Sequence, residues 1–214
     1  MTTPKESART DDPKPHATRP GWQRMVLEWG GVILFIAFLK FTGPGTTVLG
    51  WMQQGVLATG LFQADTTYVE EEAEPASYEL ALESIDGRPA HLESMRGKTI
   101  FLNLWATWCA PCLAEMPYIQ ELYEEVGDEG IEFVIVATDD DFEVSKRFIE
   151  QKGYTFPVYR VIGSMPPLYR SPTLPTTWVI SPEGNLATVH AGMANYSTRG
   201  FIRFIRSVAD IEAP

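Results

Sequence analysis

A chain of 214 residues is long enough for one ordinary domain with extensions and short for two full ones. Its 44% hydrophobic and 12% aromatic content is that of a globular protein, which excludes disorder along the whole length. A formal net charge of -11 argues against a nucleic-acid binder, which would need a basic stripe to meet phosphates.

Residues 1–24 are rich in Pro, Thr, Lys, Arg and Asp without apolar periodicity, and read as a flexible cytoplasmic tail. The run Trp29–Leu39 carries no charge and is bracketed by Glu28 and Lys40. Extended to residues 25–42, it reaches the lower limit for a transmembrane helix, because both bracketing side chains can snorkel. A signal-peptide core is the competing reading, although no small-residue cleavage signal follows Phe41. Residues 43–76 form a juxtamembrane segment. Within it Leu49, Met52 and Val56 fall at helical spacing, which suits an interfacial amphipathic helix over Thr46–Ala64. An acidic linker, Glu70–Pro75, closes it.

Orientation follows from basic residues. The tail carries Lys5, Arg9, Lys14, Arg19 and Arg24, whereas Phe41–Gly87 has neither Lys nor Arg. The expectation is a single-pass protein of the cell inner membrane with its large domain outside the cytoplasm. If Thr46–Ala64 also spans, the domain would return to the cytoplasm.

The folded domain is expected over residues 77–214. Tyr78, Leu80 and Leu82 alternate as in a half-buried strand, and Asp86-Gly87 marks a turn. Thr99–Ala106 reads as a central strand. Pro111 to about Val126 reads as a helix, with Pro117 kinking it. Glu132–Thr138 is β-rich, and Phe142–Lys152 reads as an amphipathic helix ended by Gly153. Strands are expected at Phe156–Val161, Thr176–Ile180 and Leu186–His190, the last two joined by a turn at Ser181–Gly184. A helix over Thr198–Ala209 places Phe201, Ile202, Ile205 and Val208 at core spacing. The order predicts an α/β layered domain with a mixed sheet.

The chemistry concentrates in Trp105-Ala-Thr-Trp-Cys-Ala-Pro-Cys112, which holds both cysteines of the chain. A disulfide closing so short a loop contributes little as a staple. His16, His91 and His190 lack the spacing that would complete a zinc site, so no metal ligands are assigned. Redox chemistry fits better. Cys109 sits where a strand ends and a helix begins, so unpaired backbone N–H groups and the helix dipole favour its thiolate. Its pKa should fall below the free value of about 8.5. Cys112, one turn on, is placed to resolve a mixed disulfide. Pro111 sits early in the helix, where its missing donor is tolerated. Glu115, three residues after Cys112, shares its helix face and can relay that cysteine's proton; the competing reading is an exposed first-turn carboxylate.

The block Asn103-Leu-Trp-Ala-Thr-Trp-Cys-Ala-Pro-Cys-Leu-Ala-Glu-Met-Pro117 resembles the extracytoplasmic TlpA/ResA-type branch of the thioredoxin superfamily, from about Ser77 to the end of the chain. The resemblance implies a thioredoxin-like fold with an N-terminal β-hairpin and an inserted strand–helix around Ile131–Gly153. It implies a thiol–disulfide oxidoreductase without a cofactor, acting as a dithiol reductase of protein disulfides in cytochrome c maturation. Apocytochrome c is the client it suggests, and a membrane electron donor of the DsbD/CcdA type the source of electrons. By the same resemblance Pro175, after Leu174, matches the family's cis-proline beside the disulfide, and Glu115 matches its active-site glutamate. Asn103 departs from thioredoxin, which has an aspartate six residues before the first cysteine.

Other readings stay open at this level. A disulfide donor would use the same residues at a more oxidising poise. A copper- or partner-binding module would use the two thiols without turnover, with Met116 and Met165 as the nearby thioethers. A peroxidase is less suited to a helix-start C-x-x-C. Trp108 is expected at the substrate surface and Trp105 beneath the site. Asp139-Asp-Asp141 is read as a helix cap rather than a calcium loop.

Overall fold

In the computed structural model the described residues are 74–210, together with Gly30, which is helical. Apart from Gly30, the expected tail, membrane segment and juxtamembrane helix lie outside them. Among the described residues no helix is long and apolar enough to cross a membrane.

Seven strands form one mixed sheet: β1 (Ala81–Ser84), β2 (Pro89–His91), β3 (Ile100–Trp105), β4 (Glu132–Ala137), β5 (Val158–Val161), β6 (Thr176–Ile180) and β7 (Leu186–Ala191). Their order across the sheet is β2-β1-β5-β4-β3-β6-β7. The central β3–β4 and β4–β5 pairs are parallel, and the flanking pairs antiparallel. Helices α1 (Ala110–Val126), α2 (Phe142–Lys152) and α3 (Arg199–Val208) complete the domain.

Strand β3 is buried at every position, and its alternation divides the core. Phe101 and Trp105 point into a cluster with Met116, Ile119 and Leu122 of α1, Ile149 of α2, and Phe201 and Ile205 of α3. Ile100, Leu102 and Leu104 point into a second cluster with Leu80, Leu82, Leu92, Tyr169 and Trp178. Asn103 therefore belongs, by parity, to the helix-covered face between Phe101 and Trp105. A polar residue there requires a partner.

Several elements end where local chemistry stops them. Asp141 caps α2 by accepting from the Glu143 N–H at 3.0 Å. Gly153 closes it at φ 70°, the left-handed cap that glycine adopts without penalty. Thr198 caps α3 through the Phe201 N–H. Three expectations need correction. Tyr78 and Leu80 are buried as the alternation implied, yet the ladder begins only at Ala81. Strand β5 begins at Val158, just past Pro157, which has no N–H to donate to a ladder. In α3 the buried apolar set includes Phe204, while Ile202 is only half-buried.

Helix α1 continues past Pro117, whose missing N–H would otherwise meet the Leu113 carbonyl. At its C-terminal end, Arg206 of α3 donates to Glu129 at 2.6 and 2.8 Å and to Glu125 at 3.2 Å. The chain joins the sheet beside β7. Pro75 pairs with Asn185, the Ala76 N–H donates to the Gly184 carbonyl, and the Leu186 N–H donates to the Glu74 carbonyl, both at 2.8 Å.

Candidate active site

The site forms where β3 ends and α1 begins. Cys109 is the N-cap of α1, and its Sγ accepts from the Cys112 N–H at 3.3 Å. A sulfur at this position faces the free N–H groups of the first turn, the arrangement that stabilises a thiolate. Cys109 and Cys112 are joined as a disulfide, with Cα atoms 5.3 Å apart. Cys112 is fully buried and Cys109 nearly so, at 5% exposure.

The residues around the pair take distinct positions. Trp108, immediately before Cys109, is 71% exposed, whereas Trp105 is fully buried and packs on Phe148 at 5.6 Å between ring centroids. Pro111 lies in the first turn of α1 and is half-buried. The Leu174–Pro175 bond is cis; Pro175 is buried and Leu174 half-buried. The Pro175 carbonyl accepts from the Gly192 N–H at 2.8 Å, which ties the start of β6 to the segment after β7.

Glu115 is not the exposed first-turn carboxylate of the competing reading: it is fully buried. Its Oε1 accepts from Asn103 Nδ2 at 2.8 Å and its Oε2 from the Ala194 N–H at 3.2 Å. Asn103 Nδ2 also donates to Thr177 Oγ1 at 2.9 Å, which in turn accepts from the Tyr196 hydroxyl at 2.7 Å. Burial disfavours the charged carboxylate and pushes the Glu115 pKa up to about 8, against the opposing pull of the Asn103 and Ala194 donors. Burial likewise lifts the Tyr196 phenol well above its usual value. A carboxyl poised near neutrality, one helical turn from Cys112, has the properties of a proton carrier.

One functional contact was invisible in sequence. Asp139 is not a helix cap; that place belongs to Asp141. Its carboxylate accepts from the Thr107 N–H at 3.1 Å to each oxygen, from Thr107 Oγ1 at 2.7 Å and from Ser145 Oγ at 2.6 Å. The turn carrying Trp108 and Cys109 is thereby fastened to the end of β4. The β3–β4 register continues this anchorage, since the Thr138 N–H and hydroxyl both donate to the Trp105 carbonyl, at 2.9 and 3.0 Å.

Two other sequence features take structural roles. Met116 lies wholly within the helix-side core. Asn195 of the formal sequon Asn195-Tyr-Ser197 is buried, and its Oδ1 accepts from the Ser197 N–H and hydroxyl, both at 3.0 Å.

The model of the AhpC/TSA family matches residues 74–189, more than half of the chain. The chain belongs to the AhpC/TSA family. Within this family it is similar to thiol-disulfide oxidoreductase ResA of Oceanobacillus iheyensis, 40% identical over 51% of this chain and 58% of that protein. It is also similar to ResA of Halalkalibacterium halodurans, 33% identical over 60% of this chain and 74% of that protein. The chain thus spans between about half and three quarters of the relatives it matches. Among solved structures, a thiol:disulfide interchange protein of the thioredoxin family from Chlorobium tepidum superposes with a TM-score of 0.53 at 26% identity, covering 64% of this chain and 99% of that one. The AhpC/TSA domain here therefore has the thioredoxin-like fold.

Proposed function

We propose that the chain is a dithiol reductase of protein disulfides, held at the membrane by residues 25–42 with its folded domain outside the cytoplasm. The observation that carries the redox assignment is Cys109 at the N-cap of α1 with Cys112 buried behind it. In the reduced enzyme the Cys109 thiolate attacks one sulfur of a substrate disulfide and displaces the other as a thiolate. Cys112 then gives its proton to Glu115 and attacks Cys109 Sγ, which releases the second substrate sulfur. Two electrons have passed to the substrate, and the enzyme holds the Cys109–Cys112 disulfide. A membrane dithiol carrier of the DsbD/CcdA type restores the thiols by the reverse exchange.

Exposed Trp108, with half-buried Pro111 and Leu174, supplies the apolar surface a polypeptide client would meet. Apocytochrome c is a client compatible with this chemistry, because its haem-attachment cysteines must be reduced. The membrane placement is supported by the uncharged run Trp29–Leu39 and by the five Lys and Arg residues before it, against Lys40 alone between it and Gly87.

The deciding experiment is the equilibrium reduction potential of the Cys109–Cys112 pair in the full chain. A value near or below about -270 mV supports a reductase, and one approaching about -120 mV overturns it in favour of a disulfide donor.

A further inference from the structure

Every contact that Glu115 receives is a donor, from Asn103 Nδ2 and from the Ala194 N–H. That arrangement serves the carboxylate. The acid form is itself a donor and needs an acceptor, which neither contact provides. The cluster does hold one: Asn103 Oδ1 is buried without a hydrogen-bond partner. The two ends of an amide are nearly equal in size, so half a turn about the last torsion exchanges them without moving other atoms. Oδ1 would then stand 2.8 Å from Glu115 Oε1 and 2.9 Å from Thr177 Oγ1, the distances Nδ2 occupies now. There it can accept from the Glu115 acid and from the Thr177 hydroxyl, while Thr177 still accepts from Tyr196.

We propose that Asn103 is the positioning residue for proton transfer at Glu115, its amide turning over with the carboxyl's charge: Nδ2 donates to the carboxylate, and Oδ1 accepts from the acid. Each orientation leaves one end of the amide unpaired, so neither is locked in place. A buried aspartate at position 103 could accept from the acid but could not donate to the carboxylate. The asparagine serves both forms of Glu115. Burial already places that carboxyl at about 8, so both forms are populated near neutral pH.

This inference rests on the reading of Glu115 as the proton acceptor for Cys112. The titratable groups about the cluster are Cys112, one turn before Glu115 on α1, and Tyr196 on the connection after β7, whose hydroxyl donates to Thr177; β3 and β6 contribute neutral Asn103 and Thr177. Tyr196 stays protonated through the relevant range, because its phenol is held far above it.

The test uses the full chain with side-chain amide ¹⁵N and Glu ¹³C carboxyl labels, followed by NMR from pH 5 to 10. The two Asn103 amide proton resonances should shift with the same midpoint as the Glu115 carboxyl. An Asn103 amide that stays constant through that titration overturns the proposal, with no substitution required. In Asn103→Asp, which can accept from the acid but cannot donate to the carboxylate, the pH inflection of the Cys112 resolution rate should rise by about one unit. A profile superimposable on the parent's overturns the proposal too. Glu115→Gln separates the two readings. If that variant resolves mixed disulfides at the parent rate, the relay itself fails, whatever the amide does. If it slows resolution while the amide of the parent chain stays fixed through the Glu115 titration, the relay stands and the role of Asn103 falls.

Discussion

Two carboxylates contact the active-site segment, and they are built for different work. Glu115 lies inside α1, fully buried, with two donors for its two oxygens and a strong desolvation penalty. Asp139 lies at the end of β4, half-buried, and gathers the Thr107 N–H, the Thr107 hydroxyl and the Ser145 hydroxyl. Burial with few donors yields a group that exchanges protons near neutral pH. Partial exposure with many donors yields a clamp. The same functional group becomes a reagent or a fastener according to how it is desolvated and supplied with donors.

The cysteines that both carboxylates serve should give the largest effect. Cys109→Ser should abolish reduction of a protein disulfide such as insulin, and Cys112→Ser should accumulate a mixed disulfide visible by mass spectrometry. Turnover by the Cys109→Ser chain would remove the basis of the comparison.

Glu115→Gln should slow resolution by roughly a hundredfold at neutral pH, within the usual range of general acid–base catalysis, and leave the initial attack by Cys109 nearly unchanged. Stopped-flow traces with equal losses in both steps would place Glu115 with Asp139, as structure rather than reagent. The same variant should alter stability against pH. With a folded pKa of about 8 against an ordinary 4.5, Glu115 is mostly protonated in the folded chain between those two pH values, where it is ionised in the unfolded one. Its contribution is fully present below about pH 4.5 and is lost as pH rises towards about 8. Denaturant melts should show the parent weakening across that window by a few kcal/mol, and the Gln variant flatter there.

Asp139→Ala should cost roughly 2 kcal/mol, since it leaves the Thr107 N–H and two hydroxyls without their acceptor. Asp139→Asn, which keeps one acceptor oxygen, should lose less. An unaltered melting curve for the alanine variant would show that the turn is held by the Thr138–Trp105 contacts alone. The smallest effect is expected at Trp108→Ala: KM for a protein disulfide should rise about fivefold, as for loss of one moderate contact. Stability should stay within about 0.5 kcal/mol of the parent, because the side chain is exposed.

Much of this was legible in sequence wherever the deciding interaction is local. The bounds of α2 follow from Asp141 and Gly153, those of β6 from Pro175 and the Ser181–Gly184 turn, and the redox pair from its strand–helix setting. What escaped reading depends on residues far apart in the chain. Nothing near Asp139 announces Thr107, 32 residues earlier, and nothing near Glu115 announces that Ala194, 79 residues later, will donate to it. The burial of Glu115 was equally hidden, because its environment is made by β3 and the segment after β7. Phe204 was missed for a simpler reason: the buried apolar stripe of α3 runs through Phe201, Phe204, Ile205 and Val208, rotated away from Ile202.

The place where the chain joins the sheet has a mechanical consequence. Residues 74–76 pair beside Gly184 and Leu186, at the turn end of the β6–β7 hairpin. The disulfide lies at the other end, where β3 finishes at Trp105 and β6 starts at Thr176. Five or six residues of strand separate them, a span of about 17–20 Å. The chain therefore enters the folded domain at the end of the sheet opposite the reactive sulfur, and the docking face stays clear of residues 74–76.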